Sequence, residues 1–580
     1  MRPTLPHMLP AVALALTALA SPGLFAQMNM AGHVMEMQDE IPPEKLPPPV
    51  RIAGIGNSHM EITASPEAQM WFDQGLNLLH DFWDYESARA FQQGVRVDPQ
   101  CAMCYWGLYK AESFFHSTAQ GHAGKALAQA VALKEHVSER ERLYIGAAEA
   151  RDKAMHGARS LQSQEQDLLR KIIADYPEDR QARIFLWSAG GRDALAVLEA
   201  VLQEDPENSA ANHYYIHAME GTDHPEKALH SAEILGRLAP ASGHMVHMPG
   251  HIYYRVGDYD RAAQAFAAAV AVDEAYMREQ HIEPDNNWNY VHNLMYAIAN
   301  LLEQGKFDEA TSLSARITEA RGKLDTTLYI YAARDSISRI DPRLPVALRT
   351  ADFPQILKLA NTTTVRPGLP NLEFLRQRLA DFASGMQAVA TSNLKEAEQM
   401  ATRLDTELAR MSQQRDSAPR SMTPPPSSLT PPKLAVMSDA LLDPLLKTLA
   451  IMSLELRGSL LAAQGKTEEA KARFTSAAKQ EKELGYREPP NYVRPVGESE
   501  GAAMLASEKW ADAKAAFERA LAVRPHSGFA LYGIAVASER AGDRETAVKN
   551  YADFLTAWKG ADTGLAQIEH ARGYLAAQRQ

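Results

Sequence analysis

Cysteine is almost missing from this chain. Two residues in 580, Cys101 and Cys104, exclude a scaffold stapled by disulfides. Long hydrophobic runs are also missing. The longest lies between Leu9 and Ala20, and nothing after it is long enough to span a bilayer in the mature protein. Positive charge is not in excess: 60 Lys and Arg stand against 72 Asp and Glu, a net charge of −12. No basic stripe exists to grip a phosphate backbone, which excludes nucleic acid as a partner. No Gly-rich phosphate loop, G-x-S-x-G elbow or H-E-x-x-H helix occurs either. What remains is 46% apolar and 23% charged, the balance of an ordinary globular protein with a large core.

The N-terminus has the layout of a secretory signal. Arg2 precedes the twelve-residue run LPAVALALTALA, and small residues follow, with candidate cleavage after Ala20 or after Ala26. The expectation is a signal peptide over 1–26 and an exported protein, periplasmic or secreted. No cysteine follows, so a lipoprotein anchor is not expected. Residues 27–60 then form a Met- and Pro-rich tail in which Met28, Met30, Met35 and Met37 surround His33. Thioethers are soft ligands suited to Cu(I). The alternative is a plain arm with chance methionines.

The body repeats itself. KWADAKAAFERALAVRP (509–525) is followed by RAGDRETAVKNYADFL (540–555), with Ala513 and Ala547 34 residues apart and Phe517 and Pro525 in fixed offset. The same grammar recurs at 82–91, 256–266, 304–310 and 464–474. A 34-residue period with small residues at helix crossings predicts an all-α tetratricopeptide-repeat superhelix of stacked antiparallel helix pairs. The expected divisions are an N-terminal array over 61–340, a middle helical region over 341–440 with a Ser/Pro-rich loop at 412–436, and a C-terminal array over 441–580.

Six stretches carry a resemblance. They are FDQGLNLLHDFWDYESARAF, DPQCAMCYWG, HYYIHAME, HMVHMPGHIYYRVGDYDRA, HNLMYA and GYREPPNYVRP, scattered from 72 to 495. With these the chain resembles a bacterial family of exported tetratricopeptide-repeat proteins bearing HxxxH and HMPxH motifs. The resemblance implies the helical-repeat fold; it implies no particular reaction.

Nine of the 19 histidines fall between 213 and 292. Six sit in three motifs: His213 and His217; His244, His247 and His251; and His292. If the alanines 228, 262 and 310 mark position 20 of their repeats, these six occupy positions 2, 5 and 9 of the first helices. Those positions line the concave groove rather than the packing face. Residues four apart share a helix face, and the two pairs His213/His217 and His247/His251 keep one register 34 residues apart. The expectation is that these four converge on a shared transition-metal ion. His244 and His292 then offer a second ion or an extension of the site, with Met295 as a soft ligand. Imidazole suits copper, zinc, iron and nickel; export and the Met-rich tail favour copper, with zinc or iron as alternatives. A metal-free groove for an acidic peptide or small anion, and a structural hydrogen-bond network, are the competing readings.

Neighbouring residues add candidates. Tyr254 falls at a groove position and is a candidate proton or radical carrier. Glu220 is a candidate ligand, general base, or acceptor fixing a histidine tautomer. Arg255 is a candidate anion holder. So are Arg487 and Arg494 of the Pro-rich GYREPPNYVRP segment, which is either a cap over the groove or a solvated insertion. Cys101 and Cys104 form a C-x-x-C with Tyr105, not histidine, after it; a local disulfide is favoured over a soft metal pair. Together these give an exported metalloprotein, as an enzyme a copper-dependent oxidoreductase acting on a small molecule in the groove. The alternatives are a non-catalytic peptide-binding scaffold and a copper storage or delivery protein.

Overall fold

The computed structural model describes residues 42–579 apart from 116–121, 156–160, 191–192, 284–286, 288, 321–332, 418–438, 440–441, 486–488 and 491. The expected signal peptide, the methionines of the tail with His33, most of the 412–436 loop, and Arg487 lie outside the described residues. Residues 412–417, expected to open that loop, instead complete a helix, Leu394–Ser417.

The described residues form 26 α-helices, with no strand among them. Successive helices pair antiparallel, each packed chiefly on the next in sequence. The helices that matter here are α1 (Pro66–His80), α2 (Asp84–Val97), α3 (Ala102–Phe115), α4 (Ser209–Glu220), α5 (Gly243–Val256), α6 (Tyr259–Gln280), α7 (Asn289–Glu303), α8 (Phe307–Ala320), α9 (Leu344–Arg349), α10 (Val496–Ala506), α11 (Trp510–Val523), α12 (Gly528–Ala541) and α13 (Arg544–Ala557). The alanines that set the repeat frame, 228, 262, 310, 513 and 547, are all fully buried. Each lets its helix approach its partner closely. Gly250 of α5 does the same job more strictly: a Cβ there would stand 2.3 Å from the ring of Phe266 on α6.

Local signals match the helix starts. The Asn208 side chain accepts from Ala211 N–H at 2.9 Å and caps α4. The Asp258 carboxylate does so for α6 from Arg261 N–H at 3.1 Å. Cys101 and Cys104 are joined by a disulfide at the head of α3. An apolar cluster extends from Ile337 to Ala537 across the expected division at 440.

The middle of the chain also touches its last repeats. Gly257, in the left-handed region at φ 81°, ends α5 so close to the Pro525 carbonyl that a Cβ would lie 2.3 Å from that oxygen. Tyr259 Oη donates to the same carbonyl at 2.9 Å. Nearby, Arg349 of α9 is buried between Glu303 of α7 and Glu498 of α10, with Arg524 also on Glu303. No described helix is long and apolar enough to cross a membrane.

Candidate metal centre

The helix register delivers the histidines. On α4, His213, His217 and Glu220 fall at i, i+4 and i+7, one face of the helix. On α5, His244, His247 and His251 fall at i, i+3 and i+7. Pro249 stands inside α5 and lacks the N–H that would bond the Met245 carbonyl.

The six imidazoles form two triads. Nitrogens of His213, His217 and His244 lie within 4.8 Å of one another, and so do those of His247, His251 and His292. His217 Nε2 stands 3.3 Å from His244 Nε2, and His292 Nε2 3.1 Å from His247 Nε2. His251 Nε2 is in close contact with His247 Nε2. Nitrogens bound tetrahedrally at about 2.0–2.1 Å from a zinc-sized ion lie about 3.3 Å apart, so the spacing suits a metal.

This grouping corrects the expected one. The pairs His213/His217 and His247/His251 do not converge as one set of four; each pair gathers with a histidine of the following repeat instead. Successive first helices are staggered by three positions, so position 5 of one repeat faces position 2 of the next. His213 meets His244 with 4.2 Å between ring centroids, and His247 meets His292. Each triad therefore takes positions 5 and 9 of one repeat and position 2 of the following one. A stagger of three residues is roughly 4.5 Å of helix rise. It also brings Glu220, at position 12, to His251, at position 9.

The expected groove is filled at this level. All six histidines are 0–1% exposed. Phe82, from the corner between α1 and α2, lies 5.0, 5.8 and 5.2 Å from His213, His217 and His244. It holds a left-handed φ of 56°, a conformation that costs a non-glycine residue roughly 1 kcal/mol. Phe266 and Tyr296 cover the other triad, Tyr296 stacked on His251. Sequence spacing missed all three rings, although Tyr296 stands four residues after His292 on the same helix face.

Burial lowers the pKa values of His213, His217, His244 and His247 well below the ordinary 6.5, and the neighbouring imidazoles lower them further. They stay neutral, the form that ligates. The Nδ1 atoms of His244 and His247 are buried without a hydrogen-bond partner. Glu220 Oε1 accepts from His217 Nδ1 at 2.7 Å, and Oε2 accepts from His251 Nδ1. Of its three expected roles, the geometry realises that of a tautomer-fixing acceptor.

The other candidates stand elsewhere. Tyr254 is buried in the α5–α6 core, its ring 5.5 Å from Tyr259 and 6.2 Å from Tyr296. Met295 packs in the apolar cluster of Val270, Leu294, Ile298 and Ile317. Arg255 donates to the backbone carbonyls of Glu220 and Thr222 at 2.8 and 2.7 Å, so it secures the end of α4 instead of presenting itself to an anion. Arg494 lines a separate small cleft with Glu455, Tyr492 and Ser499.

Residues 500–579 match a family model described as tetratricopeptide repeat. No curated protein matches the chain. Among solved structures, the APC/C hetero-tetramer Cut9–Hcn1 is similar at 13% identity, covering 76% of this chain and 83% of that one, with a TM-score of 0.27. Yeast Tom70 is similar at 12% identity over 88% and 96%, TM-score 0.27. The human IFIT1 dimer with m7Gppp-AAAA is similar at 14% over 86% and 96%, TM-score 0.33. The matched segment and the stacked helix pairs make this an all-α tetratricopeptide-type solenoid.

Proposed function

We propose that the chain is a metalloprotein whose solenoid interior carries transition-metal ions in two three-histidine centres. Copper is the favoured ion, with zinc or iron as alternatives, and the reaction class is oxidation–reduction of a small molecule. One observation carries this reading: six buried imidazoles from three successive repeats keep one register and converge three by three. A structural hydrogen-bond network would not leave Nδ1 atoms of His244 and His247 buried and unpartnered.

Three protein nitrogens leave an open position, as in catalytic rather than closed structural sites. A redox ion held there would supply electron-transfer chemistry. The chain's own part is to orient the imidazoles through Glu220 and to exclude water with Phe82, Phe266 and Tyr296. Full burial restricts any substrate to small size. The same burial favours a second reading, in which copper is stored or delivered out of contact with solvent. We also place the protein outside the cytoplasm, periplasmic or secreted. The disulfide Cys101–Cys104 supports this, since such bonds persist in oxidising compartments.

Elemental analysis of the purified protein tests the reading. About two transition-metal ions per chain are expected. His217→Ala with His251→Ala should remove one ligand from each triad and abolish tight binding. Deleting residues 27–40 should leave the interior ions in place. A parent protein that binds none after reconstitution would refute the metal and leave the peptide-binding scaffold.

A further inference from the structure

We infer that Glu220 is the positioning residue that readies both histidine triads at once, so that the two centres depend on a single carboxylate; the inference rests on the metal reading above. His217 belongs to one triad and His251 to the other. The first bond, at 2.7 Å, spans one turn of α4; the second crosses to α5 and joins residues 31 apart. Arg255 holds the Glu220 carbonyl at 2.8 Å and fixes the helix end that carries the side chain.

The chemistry follows from proton counting. A carboxylate only accepts hydrogen bonds, so both Nδ1 atoms must carry hydrogen. A neutral imidazole has one such proton, so both Nε2 atoms present lone pairs. Those two Nε2 atoms point into the triads, at His244 Nε2 and His247 Nε2. Each triad thus has one nitrogen set for coordination in advance. Nδ1 of His244 and of His247 meets no acceptor of its own, so no carboxylate fixes those tautomers.

Glutamine at this position breaks the symmetry. Its amide has one accepting oxygen and one donating NH2 group. The oxygen can still accept from one histidine. The NH2 faces the other Nδ1, which must give up its proton to accept. That proton moves to Nε2 and removes the lone pair the metal needs. Glu220→Gln should therefore lose one centre and spare the other. Glu220→Ala removes both constraints without imposing a wrong tautomer, and should keep two centres with affinity lowered about 10–100-fold, the usual effect of deleting an outer carboxylate. A side chain with a merely structural role would not make the near-isosteric glutamine the variant that loses stoichiometry.

The test is titration of the full chain with Zn(II) against a competing chelator, with stoichiometry read by elemental analysis. Two ions in the parent, one in Glu220→Gln, and two weaker ones in Glu220→Ala are expected. Two ions at parental affinity in Glu220→Gln, or identical behaviour of the two variants, overturns the inference and leaves the metal reading standing. If the parent binds none, the metal reading fails. Long-range 15N NMR of the metal-free, histidine-labelled protein then still decides the tautomers. Nδ1–H at both His217 and His251 in the parent, with one of them switched to Nε2–H in Glu220→Gln, is expected; no switch overturns it. Circular dichroism checks the fold. Should the glutamine variant not fold, Glu220→Ala decides alone, and unchanged affinity overturns the inference.

Discussion

The ring of Tyr296 lies stacked on that of His251, 4.6 Å between centroids and 26° between planes. It also meets Phe266, 4.8 Å away, and the edges of His247 and His292. One tyrosine therefore forms a wall for all three members of a triad. Tyr296→Ala should cost about 3–5 kcal/mol, as for other buried aromatics, and should weaken the metal at His247, His251 and His292 more than at the other triad. Tyr296→Phe should cost no more than about 1–2 kcal/mol, the share of the hydroxyl. Urea denaturation of the metal-free protein measures both; equal losses would contradict the role of the ring.

Acid should destabilise the metal-free chain well before carboxylates protonate. Burial holds His80 down at about 4, with Gln181 opposing and Lys110 assisting. His213, His217, His244 and His247 are likewise depressed by burial. Unfolded, each titrates near 6.5. The unfolded state then binds more protons, so stability is complete above about pH 6.5 and is lost as pH falls below it, the share of His80 through about 4. Each such histidine contributes roughly 1.4 kcal/mol per pH unit in that window. Denaturation midpoints between pH 7.5 and 4.5 provide the check, and a flat profile would contradict it.

Arg349 joins α7, α9 and α10 from a fully buried position. Its Nε donates to Glu303 Oε1 and its Nη2 to Glu303 Oε2, both at 2.9 Å, while Nη1 and Nη2 reach Glu498. Burial pushes the Glu303 carboxyl up, but Arg349 and Arg524 outweigh it and hold the group at about 2. Arg349→Met should leave buried carboxylates short of a partner and cost about 3–5 kcal/mol at pH 7. The stability that Glu303 contributes is present above its unfolded value near 4.3 and should vanish as pH falls through about 2. A loss under about 1 kcal/mol in chemical denaturation would show that the cluster is not a clamp.

Reduction of Cys101–Cys104 should have a small effect. The bridged cysteines are only three positions apart, and a four-residue ring constrains the unfolded chain by about 2 kcal/mol in the chain-entropy account. Mass spectrometry of unreduced protein should show two hydrogens fewer than after reduction. A free, alkylatable pair would reject the bond.

The fold and the histidine set were readable because both follow a period. A 34-residue repeat places alanine at every helix crossing, and those alanines are buried as the register requires. The grouping of ligands was not readable. Equal positions in adjacent repeats suggest equal heights, whereas the three-position stagger pairs His213 with His244 and leaves His247 for His292. Superhelical offset is a property of helix packing, with no local sequence signal. Phe82 was hidden for a related reason: it reaches the triad from 131 positions before His213, through a turn whose left-handed φ at a phenylalanine no turn rule anticipates. Arg255 and Tyr254 look exposed on a helical wheel; only contacts with α6 and α7 bury Tyr254, and only the end of α4 engages the half-buried Arg255.

Solenoids ordinarily fold by spreading from one repeat to the next, because each repeat touches only its neighbours. The seat of α5 on Pro525 does not obey that locality. Tyr259 and Pro525 are 266 residues apart, a loop closure that local propagation cannot supply. A nascent chain that already contains all six histidines still lacks the support beneath the end of α5. It gains that support only when the last repeats emerge and swing back. The seat of α5 is therefore completed late in the protein's synthesis, and an early-stopped product would carry every histidine of the triads on a helix whose end lacks its Pro525 support.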